Sequence, residues 1–172
     1  DIDPEGYLWV ADYSGYCFYK MKRTGEILLN ISTKVGNATL MVPADVAVDD
    51  DGFVYVADHN EMAVLKYDRN GTFLLSWGGY GTANGKFSQP YGIDIDSKGR
   101  IYVADPDNNR VQVFDSWGNY LKKWNTGTYS MWLNIDSNDD LLLSEPGPRK
   151  IEKFDYNGNL LANVTKDNPG NN

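Results

Sequence analysis

Four acidic residues return along the chain at near-regular steps: Asp12, Asp58, Asp105 and Glu145. Asp58 and Asp105 each close a Val-Ala-Asp tripeptide, and Arg110 follows shortly after Asp105. A carboxylate beside a guanidinium could act as a general acid or base, or hold a substrate anion. Recurrence argues against that, because a catalytic constellation is needed once per molecule and a scaffold device once per repeat. The expected role of Asp12, Asp58, Asp105 and Arg110 is structural. The carboxylate accepts loop N–H groups, and the guanidinium pairs with it across a hairpin.

Histidine and cysteine narrow the chemistry further. His59 is the only histidine, so a multi-histidine metal site cannot be assembled from this chain. Cys17 is the only cysteine, which excludes an intrachain disulfide. It lies among Tyr16, Phe18 and Tyr19 and reads as a small buried hydrophobe. Oxygen-rich clusters occur at Asp49-Asp50-Asp51, at Asp136 with Asp139-Asp140, and along Asp105-Pro106-Asp107-Asn108-Asn109. Such loops can bind calcium. Here Arg110 stands where the helix–loop–helix calcium motif needs glycine, no glutamate closes the loop, and the other clusters suit ordinary turns. No cofactor is expected, calcium being the one that these loops leave open. No Ser-His-Asp grouping is evident, and Gly78, Gly79 and Gly81 do not lead from a strand into a helix as a phosphate cradle would.

The elements that must position these residues are short strands. Residues 90–124 read as YGIDID, RIYVAD, RVQVFD and NYLKKW, separated by the turn formers SKG, PDNN and SWG. That antiparallel meander recurs at about 1–31, 43–77 and 131–164, the first copy lacking the start of its opening strand. Gly25, Gly71, Gly118 and Gly158 mark the last turn of each copy and repeat with the same steps as the acids. The second strand of each unit is apolar on both faces, which burial between neighbouring sheets explains. Four-stranded units of this length are blade-like, and the fold predicted is all-β: a β-propeller segment over 1–165 with a tail at 166–172.

These residues resemble the NHL repeat. PYGIDIDSKGRIYVADPDNNRVQVFDSWGNYLKKW carries the likeness, and the connector WGGYGTANGKFSQP before it is similar to the glycine-containing link of that family. The likeness spans nearly the whole chain, and is strongest in the second and third copies. In the fourth, Ser144-Glu145 replaces Ala-Asp and Asp139-Asp140 stands at the turn glycine. The resemblance implies a β-propeller, most often of six blades. Four copies then imply part of a longer propeller, an arc completed by a partner chain, or a compact four-bladed ring. Related propeller lyases use a metal held by several histidines, and some NHL propellers bind RNA through a basic face.

A net charge of −8 disfavours a phosphate track, and hydrophobic content of 41% argues against disorder. No apolar run approaches the roughly 18 residues of a membrane span. The loops after each second strand and between blades should share one face. On it fall Tyr13, Tyr16, His59, Glu61, Tyr80, Asp107 and Arg149, the candidate contacts for a protein or glycan partner. Only Pro146-Gly-Pro-Arg149-Lys150 is basic there, so nucleic acid is not the expected partner. Sequons at Asn30, Asn37, Asn70 and Asn163 are glycosylation candidates and tilt the reading toward an extracellular or surface protein, with a cytoplasmic one as the alternative. The function expected is a non-enzymatic binding scaffold. A metal-dependent propeller lyase or hydrolase, with part of its site outside this chain, and an RNA-binding domain are the alternatives.

Overall fold

Alternating apolar residues between glycine- and aspartate-rich turns fold as antiparallel strands, because period-two alternation gives each strand two distinct faces. The computed structural model describes residues 1–32, 42–127, 129–145 and 150–165. The first sheet holds β1 (Leu8–Asp12), β2 (Cys17–Met21) and β3 (Ile27–Ile31). The second holds β4 (Pro43–Val48), β5 (Val54–Asp58), β6 (Ala63–Tyr67) and β7 (Phe73–Gly78). The third holds β8 (Ile93–Ile95), β9 (Ile101–Asp105), β10 (Arg110–Phe114) and β11 (Tyr120–Asn125). The fourth holds β12 (Trp132–Ile135), β13 (Leu141–Ser144), β14 (Lys150–Phe154) and β15 (Leu160–Thr165). Each is a meander in chain order.

The first copy is incomplete at its opening strand, as expected from the sequence. The first sheet has three strands, and its opening strand is reduced to a single bridge between Ile2 and Leu8.

The core lies between the sheets. In β5 the residues alternate: Val54 and Val56 join Trp9 and Phe18 of the first sheet, while Tyr55 and Ala57 join Ile101, Val103 and Phe114 of the third. Tyr102 and Ala104 then face Leu141 and Leu143 of the fourth. Each junction mixes aromatic and aliphatic side chains from both sheets. All of β5, β9 and β10 is buried, and each large apolar side chain so placed contributes about 1.5–3 kcal/mol of burial free energy.

Aspartates hold the turns on the side of the molecule away from the β5–β6 loop, one in the first blade and two in each of the other three. Asp49 accepts the backbone N–H groups of Asp51 and Phe53, and Asp96 those of Lys98 and Arg100. Asp3 and Asp136 do the same in the outer blades. In the later turns, Asp68, Asp115 and Asp155 repeat the device. In the fourth blade Asp139 adopts φ +62°, the left-handed geometry that Gly52 and Gly99 supply in the second and third. Its carboxylate is held by the Ser97 N–H and hydroxyl of the neighbouring blade. A β-bulge then falls at the same point of every blade, leaving Leu28, Leu74, Leu121 and Leu161 exposed on the rim.

Candidate functional site

The β1–β2 and β5–β6 loops and the segments leading into β8 and β12 meet at one end of the sheets, because the antiparallel order puts all of them beyond the same strand ends. Asp58 shapes the β5–β6 loop: its Oδ1 accepts the N–H groups of Asn60 and Glu61 at 3.0 Å, and that of Val42 at 3.3 Å. The His59 N–H donates to the Val42 carbonyl at 2.9 Å. Asp12 holds the β1–β2 loop by accepting the Gly15 N–H at 2.7 Å.

That scaffolding sets a row of rings across all four blades. Tyr13 lies 5.9 Å from His59, ring centre to ring centre, and His59 lies 4.8 Å from Tyr91 in an edge-on contact. Tyr13 and Tyr91 stack at 6.4 Å with a 15° interplanar angle, and Trp132 meets Tyr91 at 5.9 Å. Tyr13 is 44% exposed and Trp132 48% exposed, so the row presents apolar faces to solvent at both ends. Beside it, Tyr129 donates a hydrogen bond to Asp107, and both are exposed.

The electrostatics follow from partial burial. Desolvation lowers the pKa of His59, outweighing the nearby charges of Asp107 and Asp58, so the imidazole is neutral at pH 7. Its Nδ1 is buried and has no hydrogen-bond partner among the described residues. Burial and a hydrogen bond with Tyr13 push the Tyr91 phenol up to about 12. The row is therefore uncharged near neutrality, with Asp107 as a flanking anion. Such a surface can stack against apolar or planar groups, with hydroxyls at its margins to orient them.

Of the sequence candidates, the structure brings Tyr13 and His59 into this row and sets Asp107 at its edge. Tyr16, 60% exposed with φ +57°, Glu61 and Tyr80, 78% exposed, are on the surface but make no ring contact with the row among the described residues. Arg149 and Asn37 lie outside the described residues. Asn30, Asn70 and Asn163 are exposed. Tyr91 and Trp132 escaped the sequence reading because both sit at strand starts, where an aromatic reads as core. The signal that could have found them is position: each precedes or opens the inner strand of its blade, at the loop-bearing end.

Asp105 and Arg110 are elsewhere in their chemistry. Both are buried, the Arg110 Nε donating to Asp105 Oδ2 at 2.8 Å. The rest of the guanidinium donates to the carbonyls of Thr82, Ala83 and Lys86. Asp105 also accepts the Ser88 N–H, so the pair clamps the connector between the second and third blades. No group of three or more His, Cys, Asp or Glu side chains placed to hold a metal occurs among the described residues.

Residues 40–67 and 87–114 match the profile of the NHL repeat. The second and third blades each carry an NHL repeat. In fold, the chain is similar to virginiamycin B lyase from Staphylococcus aureus, with a TM-score of 0.74 and 17% identity over 98% of this chain and 55% of that one. It is similar to hydrazine synthase of Kuenenia stuttgartiensis, with a TM-score of 0.74 and 21% identity over 95% of this chain and 47% of the other. The WD40 repeats of RRP9 give a TM-score of 0.75 at 12% identity, over 94% and 48%. These likenesses establish the fold. The chain spans about half the length of these solved structures. No curated protein matches its sequence.

Proposed function

We propose that this NHL-repeat chain is a non-enzymatic display scaffold that binds a protein or glycan partner through the aromatic row of its loop face. The observation that carries the reading is the continuity of Tyr13, His59, Tyr91 and Trp132 across four successive blades. Rigid blades hold the rings in place before binding, so little side-chain entropy remains to be lost on contact. The outer faces of the first and fourth sheets extend the idea. Val10 and Ile27, and Ile151 with Trp132, are exposed there, on faces that the internal junctions bury. Further blades or another chain would pack against them.

A glycan array and a pull-down with the tagged protein test the reading, each run with wild type, Tyr13→Ala/Trp132→Ala and the distant control Trp117→Ala. Ligands kept by the control and lost by the double variant support it. Ligands retained by the double variant overturn it.

The rival reading, a propeller lyase or hydrolase, draws on one feature. His59 has an unpartnered Nδ1 and a lowered pKa, as a general base needs. Stoichiometric zinc or calcium in the purified protein, with a turnover that His59→Gln abolishes, would favour it over the scaffold.

A further inference from the structure

A second concavity lies at the opposite end of the strands from the aromatic row. It is a cleft of about 730 Å³ between the β4–β5 turn of the second blade and the β8–β9 and β10–β11 turns of the third. That volume suits a small molecule. The second blade contributes Asp50, Asp51 and Lys66, the third contributes Lys98, and Phe53 and Trp117 supply apolar surface.

Lys66 is the informative residue. Its counterparts in the first and fourth blades are neutralised: Lys20 pairs with Asp3 at 2.9 Å, and Lys153 with Asp136 at 2.7 Å. In the second blade the equivalent carboxylate, Asp49, instead receives the Tyr55 hydroxyl at 3.0 Å. Lys66 is left 6% exposed, with one acceptor, the Ser116 carbonyl at 3.0 Å. Its ammonium has three N–H donors, so two have no acceptor among the described residues. No carboxylate lies within salt-bridge distance of it among those residues. It is held over the rings of Phe53 at 4.2 Å, Tyr55 at 5.0 Å and Trp117 at 5.7 Å. A desolvated ammonium in this state is a ready partner for an incoming anion.

A simple anion is disfavoured by the carboxylates that share the cleft. Asp50 and Asp51 are exposed and have no cation partner among the described residues. The ammonium and the carboxylates are satisfied together by a ligand that carries both charges. Trp117, 73% exposed on its turn, offers a ring face to whatever apolar group such a ligand bears.

We propose that this cleft binds a zwitterion of amino-acid size. Lys66 takes its carboxylate, Asp50 and Asp51 take its ammonium, and Trp117 stacks on its side group. Lys98, whose Nζ lies 3.5 Å from Asp139, adds a second positive charge at the rim.

The test is calorimetric titration of the intact protein with L-phenylalanine, phenylacetate and phenethylamine. The expected result is saturable binding of phenylalanine, with each single-charge analogue weaker by at least about tenfold, as the loss of one charge-assisted contact implies. Lys66→Met should lose at least about tenfold as well. Trp117→Ala and Asp51→Asn lie on exposed turns, and each should also weaken binding, so the test stands if Lys66→Met does not fold. The proposal is overturned by absence of saturable binding up to about 10 mM, by a single-charge analogue binding as tightly, or by these two turn variants keeping wild-type affinity.

Discussion

Gly118 sits in the β10–β11 turn with φ +82°, and a Cβ there would lie 2.6–2.8 Å from three atoms of the Trp77 ring. Trp77 belongs to the outer strand of the preceding blade and cannot easily retreat, because Tyr55 and Phe114 pack against it. Gly118→Ala therefore carries two costs. The left-handed backbone costs an L-residue about 1–2 kcal/mol. Forcing a methyl into a packed ring adds about 1–3 kcal/mol, for a total of about 2–5 kcal/mol. Gly99 supplies the control, since it has φ +71° and open space around its would-be Cβ. Gly99→Ala should show the backbone cost alone, about 1–2 kcal/mol. Urea denaturation followed by circular dichroism measures both. In a Trp77→Leu background the excess cost of Gly118→Ala should largely vanish, giving a coupling of about 1–3 kcal/mol. If Gly118→Ala and Gly99→Ala agree within about 0.5 kcal/mol, and the cycle shows no coupling, then blades do not meet through this glycine–tryptophan contact.

Three other expectations follow from the same structure. Arg110→Met leaves the buried Asp105 carboxylate without its cation and takes from the Thr82 carbonyl its guanidinium donor, and should destabilise by about 3–5 kcal/mol in denaturant titration; a loss under about 1 kcal/mol contradicts the clamp. Burial raises the Asp45 carboxyl from 3.8 to about 6, so the native state holds that proton more tightly than the unfolded chain. Its contribution to stability then falls as pH rises from about 4 to about 6 and is flat beyond; Asp45→Asn should remove that slope when unfolding is measured across the window. The single histidine gives one imidazole Cε1–H resonance, whose NMR titration midpoint should lie below the usual 6.5; a midpoint at or above it would mean that His59 is not desolvated.

Much of this was legible in the chain itself. Period-two alternation with turn residues at matching steps fixes four meanders, their order and the glycine-bearing turns, since these are local consequences of backbone geometry. Asp58 and Asp105 were readable as loop supports for the same reason: a device that recurs is a device of the repeat. The site was less legible. Tyr91 and Trp132 are indistinguishable in sequence from core aromatics, and Lys66 looks like Lys20 and Lys153. Only packing reveals that Asp49 turns to Tyr55 and leaves Lys66 unpaired, or that Gly118 touches a tryptophan from the previous blade. The local pattern decided which residues become strands and turns, because φ, ψ and side-chain alternation depend on near neighbours. The stacking of one blade on the next decided which rings meet and which charges find partners, because those contacts join residues some 40–50 positions apart.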